Sequence, residues 1–149
     1  MRLTTFTDYT LRTLMYLSLA PGRSATIGEV ANAYGISANH MMKVSHLLAQ
    51  AGDIVTSRGQ GGGMRLARRP EDISVGAVAR RTEPGLAADT CFCGKAGCVL
   101  KGKCVIADAL DEAVGAFLLV LDGYTLADLV TPELSRALGI PDLPAVAGR

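Results

Sequence analysis

The sequence predicts a mainly α-helical winged helix-turn-helix protein with a two-stranded wing, a cysteine-rich loop and a long C-terminal dimerisation helix. Three observations favour this fold class. Two short helical patterns separated by a glycine are followed directly by a basic, glycine-rich hairpin. All four cysteines fall in one stretch, CFCGKAGCVLKGKC, and the longest apolar helical pattern comes after it. With 149 residues, 49% of them hydrophobic, the chain is long enough for about one packed domain.

Charge is distributed unevenly along the chain. Residues 1–81 contain ten Lys/Arg and five Asp/Glu, and residues 82–149 contain five and nine, so a half with charge +5 precedes a half with charge −4. A basic half joined to an acidic one fits a nucleic-acid-binding unit attached to a second module, although charge of this size is also ordinary. The sequence shows neither a membrane-spanning apolar run nor a signal-peptide pattern, so we expect a cytoplasmic protein without a membrane partner.

Three helices are expected in the N-terminal half. Apolar residues recur on one face of residues 4–20. Thr26 and Glu29 have the spacing of a capping box at the start of a second, short helix. Ser37 caps the third helix, after a turn that contains a glycine. The last two helices form a helix-turn-helix pattern over about residues 28–51.

The third helix would be the recognition helix. Its first turns carry polar side chains that can hydrogen-bond to base edges or phosphates, namely Ser37, Asn39, His40 and Lys43. Helical hairpins also occur in proteins that bind no DNA, so this pattern alone leaves both interpretations open.

The stretch that follows favours DNA binding. Residues 54–56 and 64–66 are strand candidates on either side of SRGQGGG, whose glycines allow a tight reversal and close approach to a partner. This wing, over about residues 54–66, is polar and basic: Arg58, Gln60 and Arg65 are expected DNA contacts, and Arg68 and Arg69 add positive charge. The alternative is a flexible surface loop. A recognition helix followed by such a hairpin is typical of a winged helix, whose wing contacts phosphates or the minor groove.

A short amphipathic helix over about residues 73–81 completes the expected DNA-binding part, residues 1–82. The cysteine-rich loop, residues 83–104, follows a break at Glu83-Pro84-Gly85.

The longest helix is expected from residue 105 to residue 122, with a further helical turn or two before residue 130. Its apolar stripe is wide, and it comprises Ile106, Leu110, Ala113, Phe117, Val120 and Leu121. We expect a second copy of the chain to cover the stripe, which would give a two-fold dimer suited to a palindromic DNA site. The alternative is that the first helix alone covers it. The proline-containing tail, residues 131–149, is expected to be loosely held.

The cysteines are spaced in a way that favours an iron–sulfur cluster. Cys91 and Cys93 are separated by one residue, four residues precede Cys98, and five more precede Cys104. Zinc sites usually pair cysteines two to four residues apart, and no such pair occurs here. A compact, glycine-containing loop with three or more thiolates suits a cluster better. A zinc site, or a dithiol switch at Cys91 or Cys93, remains an alternative.

Four stretches together resemble the NsrR group, the nitric-oxide-sensing branch of the winged-helix iron–sulfur regulators that also include IscR. They are MRLTTFTDYTLR, GQGGGMRLAR, the spacing Cys93-x4-Cys98-x5-Cys104, and YTLADLV. The resemblance covers about residues 1–130. It implies a homodimeric repressor that binds a palindromic operator in double-stranded DNA and carries one iron–sulfur cluster per subunit, of the 2Fe–2S or 4Fe–4S type. Reaction of that cluster with nitric oxide would release genes for nitric oxide detoxification.

Carried over residue by residue, the resemblance assigns the cluster ligands to Cys93, Cys98 and Cys104. It also places an acidic residue near the N-terminus, here Asp8, as a further ligand, and one hypothesis is that it reaches the cluster of the other subunit. The alternative for Asp8 is an acid that the helix dipole favours in a first turn. Cys91 has no counterpart in the family pattern, and is either a bystander or a fourth ligand.

Other functions are less well supported by the sequence. Within the regulators, the alternative is an iron–sulfur or redox sensor that responds to cluster supply, oxygen or iron; the cysteine spacing and YTLADLV favour nitric oxide. An electron-transfer protein has no use for a basic hairpin. An enzyme is not expected, because the chain shows no Ser/His/Asp or paired-carboxylate set and both histidines lie on the expected recognition helix.

Overall fold

The computed structural model describes residues 2–19, 21–59, 62–86 and 104–140, and it confirms the predicted fold class. The described helices and strands, in chain order, are α1 Thr5–Ser18, α2 Ile27–Tyr34, α3 Ala38–Gln50, β1 Ile54–Ser57, β2 Gly63–Leu66, α4 Val75–Thr82, α5 Val105–Asp122, α6 Leu126–Leu129 and α7 Pro132–Ala137. Short 3-10 turns at Pro70–Asp72 and Pro84–Leu86 precede and follow α4.

The helix-turn-helix is formed by α2 and α3, as predicted. The capping box at Thr26 and Glu29 is present, and the Ser37 side chain caps α3. Gly35 ends α2 with a φ of 65°, in the left-handed region where glycine carries no side-chain penalty. The apolar sides of these helices meet α1 in one core, whose fully buried members include Leu14, Val30, Met41, Val44 and Leu48.

The wing is an antiparallel hairpin in which β1 pairs with β2, from Ile54 opposite Leu66 to Ser57 opposite Gly63. Its inner side is buried at Ile54 and Met64. Two backbone hydrogen bonds of 2.8 and 2.7 Å join Met64 to Ala25, so the segment before α2 pairs with β2 through an antiparallel bridge. A Cβ at Gly63 would lie 2.7 Å from the Ala25 carbonyl oxygen, which explains why glycine is required there. This close pairing holds β2 against the segment that leads into the helix-turn-helix.

The long helix α5 packs mainly on α4, so the alternative that α1 alone covers its apolar stripe is wrong. Close approach depends on Gly76 of α4, where a Cβ would lie 2.0 Å from the Asp122 carboxylate. That carboxylate accepts two hydrogen bonds of 2.6 Å from Arg80. After α5, the chain returns to the core: Val75 donates to the Tyr124 carbonyl at 3.0 Å and Leu126 donates to Ile73 at 2.8 Å.

The expectation of a loosely held tail is wrong for residues 132–140. Pro132 begins α7 instead of preventing it. The N–H groups of the first turn have no hydrogen-bond partner within a helix, so the N–H that proline lacks is not needed there. Thr131 caps this helix, Ser135 is buried, and Leu138 and Ile140 pack against the main core. Residues 141–149 lie outside the described part of the chain. None of the helices in the described ranges is long and apolar enough to cross a membrane.

Candidate DNA-binding surface and cluster ligands

The recognition helix α3 has one buried and one exposed side. Its buried residues are Met41, Val44, Ser45 and Leu48. At about 100° per residue, the opposite side centres on Asn39, Lys43 and His46, and all three are exposed. Asn39 and Lys43, two of the predicted DNA contacts, therefore lie on the exposed side of α3, and their contact with DNA stays a prediction. His46 was not among the predicted contacts, but its spacing of seven residues from Asn39 and three from Lys43 places it on the same exposed side.

Ser37 and His40 lie at the start of α3 but already have partners within the protein. The Ser37 hydroxyl accepts from the His40 backbone N–H at 3.4 Å and lies 2.9 Å from His40 Nδ1. The His40 ring is turned toward α1, with its centroid 5.8 Å from that of Tyr9. Their first role is thus to cap and orient the recognition helix, and both remain exposed at its N-terminal end.

Only part of the predicted positive charge around the wing is available for DNA. Arg58 and Arg65 are exposed and form no ion pair with any residue in the described ranges. Arg68, in contrast, pairs with Asp53, and Arg69 pairs with Asp72 at 3.0 Å. The positive charge that Arg68 and Arg69 add is therefore paired within the protein. Gln60 lies outside the described residues.

A cleft separates α3 from the wing and is suited to a nucleic-acid backbone. Its described lining comes from the start of α2, from Ser45 and from the hairpin, and includes the hydroxyl-bearing residues Thr26, Thr56 and Ser57. Hydroxyls and backbone N–H groups of this kind are common phosphate contacts. Lys43 of α3, like Arg58 and Arg65 of the hairpin, has no ion pair among the described residues.

A buried carboxylate ties the wing to α4. Asp53, which immediately precedes β1, is fully buried and accepts from Arg68 at 3.2 Å and from Arg81. Its backbone N–H donates to Leu48 of the recognition helix at 3.0 Å, and its carbonyl accepts from Ala67 at 2.9 Å. One residue thus joins the end of α3, both ends of the wing and the last turn of α4. Neither this role nor the pairing was predicted from the sequence.

A second buried carboxylate lies just before the cysteine-rich stretch. Glu83 accepts hydrogen bonds from the Thr4 N–H at 2.6 Å, from the Thr4 hydroxyl at 2.9 Å and from the Thr7 hydroxyl. The Thr7 hydroxyl oxygen also lies 2.8 Å from the Thr82 hydroxyl oxygen. Burial raises the pKa of Glu83, but the hydrogen bonds from Thr7 and Thr4 outweigh it, so the net pKa is lowered. The sequence predicted only a helix break here. The signal that it missed is a pair of threonines three residues apart at the start of α1.

Two of the predicted cluster ligands, Cys104 and Asp8, lie within the described part of the chain. Cys104 is the residue before α5, where its half-buried side chain makes no capping hydrogen bond. Asp8 lies in the first turn of α1, half-exposed, and pairs with Arg12 at 2.8 Å. The Arg12 guanidinium also lies 5.5 Å from the centroid of the Tyr34 ring, and burial raises the pKa of Tyr34 to about 12.

Cys91, Cys93 and Cys98 lie outside the described residues. Within the described ranges, His, Cys, Asp and Glu side chains form no group of three that could hold a metal ion. A thiol without a capping role at Cys104 and a carboxylate at Asp8 are nevertheless donors of the kind that iron accepts. The chemistry of these two donors is compatible with a cluster, which would have to draw its other thiolates from the cysteine-rich stretch.

Helix α5 keeps a bare apolar face. Its buried and half-buried apolar residues lie on the side toward α4, and are Ala107, Leu110, Val114, Phe117, Leu118 and Leu121. Beside them runs an exposed row with helical spacing, Ile106, Ala109, Ala113, Ala116 and Val120. Ile106 and Val120 are 59% and 63% exposed, so no described residue covers them. The predicted stripe is thus divided in two, and residues in the described ranges cover only one half of it.

An exposed polar recognition helix beside a basic hairpin defines a winged-helix DNA-binding protein. The family model Rrf2, described as an iron-dependent transcriptional regulator, matches residues 3–132. The chain therefore belongs to the Rrf2 family. The HTH-type transcriptional regulator NsrR of Bacillus subtilis is 47% identical over 132 residues, which cover 87% of this chain and 90% of that protein, so the chain is a transcription regulator of the NsrR type. NsrR of Geobacillus kaustophilus is 44% identical over 137 residues, 91% of this chain and 93% of that protein.

Solved structures give the same fold. IscR of T. potens superposes with a TM-score of 0.69 at 25% identity and covers 97% of this chain and 94% of its own. CymR, the global cysteine regulator of B. subtilis, has a TM-score of 0.69 at 22% identity and covers 87% of this chain and 95% of its own.

Proposed function

We propose that this Rrf2-family regulator is a nitric-oxide-sensitive repressor of nitrosative-stress genes whose DNA binding is controlled by an iron–sulfur cluster. The observation that carries the proposal is the similarity to NsrR proteins along nearly the whole chain. The cysteine spacing also supports the proposal, because it resembles the spacing in the nitric-oxide-sensing group and differs from that of zinc knuckles.

DNA binding is assigned to α3 and the wing. Asn39, Lys43 and His46 would face base edges and phosphates in a major groove, while Arg58 and Arg65 would neutralise phosphates beside it. Such contacts release counterions from DNA, so the affinity should fall steeply with salt.

The bare apolar face of α5 supports the proposal of a homodimer. A row of five apolar residues left exposed on an 18-residue helix is more than a surface normally carries, and a second copy of the same helix covers it by two-fold symmetry. The pair would present two recognition helices to a palindromic operator, with a spacing set by the dimer.

The cluster ligands would be Cys93, Cys98 and Cys104, with Asp8 as the proposed fourth. Bound there, the cluster would supply iron that reacts with nitric oxide. The chain's own residues determine what such binding affects, because Glu83 ties one end of the cysteine-rich stretch to α1 and Cys104 opens α5 at the other. Ordering of this stretch would therefore act on the DNA-binding part and on the dimer helix together, and only a ligand that prefers one arrangement can shift them.

The test is anaerobic purification with iron and sulfide analysis and a visible spectrum, before and after nitric oxide. The expected result is charge-transfer absorption that bleaches with nitric oxide, together with loss of binding to a promoter fragment. Cys104→Ser should prevent cluster assembly, and Cys91→Ser serves as the matched control within the same stretch. A fully loaded Asp8→Ala protein with unchanged nitric oxide reactivity would remove Asp8 from the ligand set.

Other outcomes would count against the proposal. A colourless protein that holds zinc would refute the cluster. A cluster that is indifferent to nitric oxide but responds to oxygen, or to iron supply, would favour the alternative sensor and would leave the DNA-binding assignment standing.

A further inference from the structure

The exposed side of the recognition helix contains one large apolar side chain. Met42 is 52% exposed, whereas the other apolar side chains of its size on α3 face the core or its edge. It lies between Asn39 and His46 along the helix, spaced three and four residues from them, so it belongs to the same exposed surface. The polar residues predicted to contact DNA do not include it.

Helical geometry places Met42 on a defined flank of this surface. At about 100° per residue, it lies on the side of Ala38 and Ala49, next to Ser45, which lines the cleft shared with the wing. His40 lies on the opposite flank, where it contacts Tyr9 of α1. The outward surface of α3 therefore has a polar centre and a methyl-bearing flank toward the wing.

The major groove of DNA offers one apolar group, the C5 methyl of thymine, beside the donors and acceptors of the base edges. Methionine is unbranched and polarizable, so it can adapt to a methyl group whose position varies slightly. We propose that Met42 contacts thymine methyl groups and is a specificity-determining residue of the recognition helix. This inference rests on the proposed role of α3 in the major groove, and it adds a preference for thymine that hydrogen bonds alone do not provide.

The test compares thymine with deoxyuridine, which lacks only the methyl group. The probe is the tightest duplex that the anaerobically purified protein selects from a randomised library, prepared with thymine and with deoxyuridine at each thymine position in turn. Burial of one methyl group is worth roughly a fourfold change in affinity. We therefore expect roughly fourfold weaker binding for the critical position in one half-site, and on the order of fifteen-fold when both half-sites of a dimer's operator are changed.

Met42→Ala should remove this discrimination, so that both duplexes bind with nearly equal affinity, while Met42→Leu should retain most of it. Lys43→Ala is the matched control on the neighbouring position: it should weaken both duplexes by the same factor and leave their ratio unchanged. Since Met42 is exposed, its variants should melt at the temperature of the parent protein.

Two results would overturn the inference. One is a parent protein that binds thymine and deoxyuridine duplexes equally at every position. The other is a Met42→Ala protein that keeps the full ratio, which would assign the methyl preference to another residue. If the library yields no enriched duplex, the DNA-binding function itself fails, and this outcome is distinct from the other two.

Discussion

Asp53 offers the sharpest test of how the wing is held. The carboxylate is fully buried, and it accepts from Arg68 and Arg81, whose side chains are 45% and 33% exposed. Replacement by asparagine preserves the shape, removes the charge and turns one acceptor into a donor that faces an arginine.

The expected loss can be worked from these contacts. A hydrogen bond to a charged group contributes about 1.5–3 kcal/mol, and partial exposure of both arginines favours the low end of that range because solvent screens them. Asparagine retains one acceptor, so one such bond is lost and the free energy of unfolding should fall by about 1.5–2 kcal/mol. For a chain of this size, that corresponds to a melting temperature lower by roughly 3–8 °C.

The assay is urea unfolding followed by circular dichroism, with Asp53→Asn compared with Asp72→Asn. Asp72 also pairs with an arginine, but it is exposed, so its variant should unfold at the urea concentration of the parent protein. A second test adds Arg81→Gln. This substitution should lower the free energy of unfolding by less in the Asp53→Asn protein than in the parent protein. A loss below about 0.5 kcal/mol for Asp53→Asn would refute the argument that this buried carboxylate organises the base of the wing.

Three further perturbations follow from the same structure. Lys43→Ala and Arg58→Ala should each weaken DNA binding and lower the slope of log affinity against log salt by about one, because each removes one phosphate contact. Val120→Glu should convert the proposed dimer to a monomer in analytical ultracentrifugation, since it puts a charge into the bare face of α5. The lowered pKa of Glu83 means that its contribution to stability is complete above the unfolded value of about 4.3 and is lost as pH falls through the folded value. The gap in unfolding free energy between the parent and Glu83→Gln should therefore shrink as the pH falls below about 4.3.

Each of these has its control. Arg69→Ala removes an arginine already paired with Asp72, and an effect on the salt slope equal to that of Arg58→Ala would contradict the assignment of free and paired cations. Asp111→Asn lies on the polar side of α5 and should leave the dimer intact; a dimer that survives Val120→Glu unchanged would place the interface elsewhere. A pH-independent gap for Glu83→Gln would mean that its carboxyl titrates alike in the folded and unfolded protein.

Much of the fold could be predicted because its signals are local. The capping box at Thr26 and Glu29, the Ser37 cap and the glycine-rich hairpin depend on residues within a few positions of one another, and each appears as expected. The start of α5 at Val105 and its end at Asp122 also agree with the apolar pattern. The prediction for the tail was wrong for residues 132–140. Its prolines suggested a break in the helical structure, whereas Pro132 begins a helix, and Leu138 and Ile140 after it pack against the core.

The candidate site was predicted less completely, since the partner of a charged side chain is a matter of distance in space. Arg58 and Arg68 look alike in the sequence, yet Arg68 is tied to Asp53, 15 residues away, and Arg58 has no such partner among the described residues. His40 and His46 are likewise the same residue type on the same helix, but of the two only His46 lies at the centre of the exposed side of α3.

The sequence by itself determined the winged-helix class, the order of its elements and the clustering of the cysteines, because periodicity, caps and spacing are local properties of a chain. Tertiary structure alone decided which charges are free, which half of the α5 stripe is left bare, and that Asp53 and Glu83 join distant segments. The physical reason is that burial and ion pairing depend on which side chains the packed core brings within a few ångströms, and no pattern along one helix or strand contains that information.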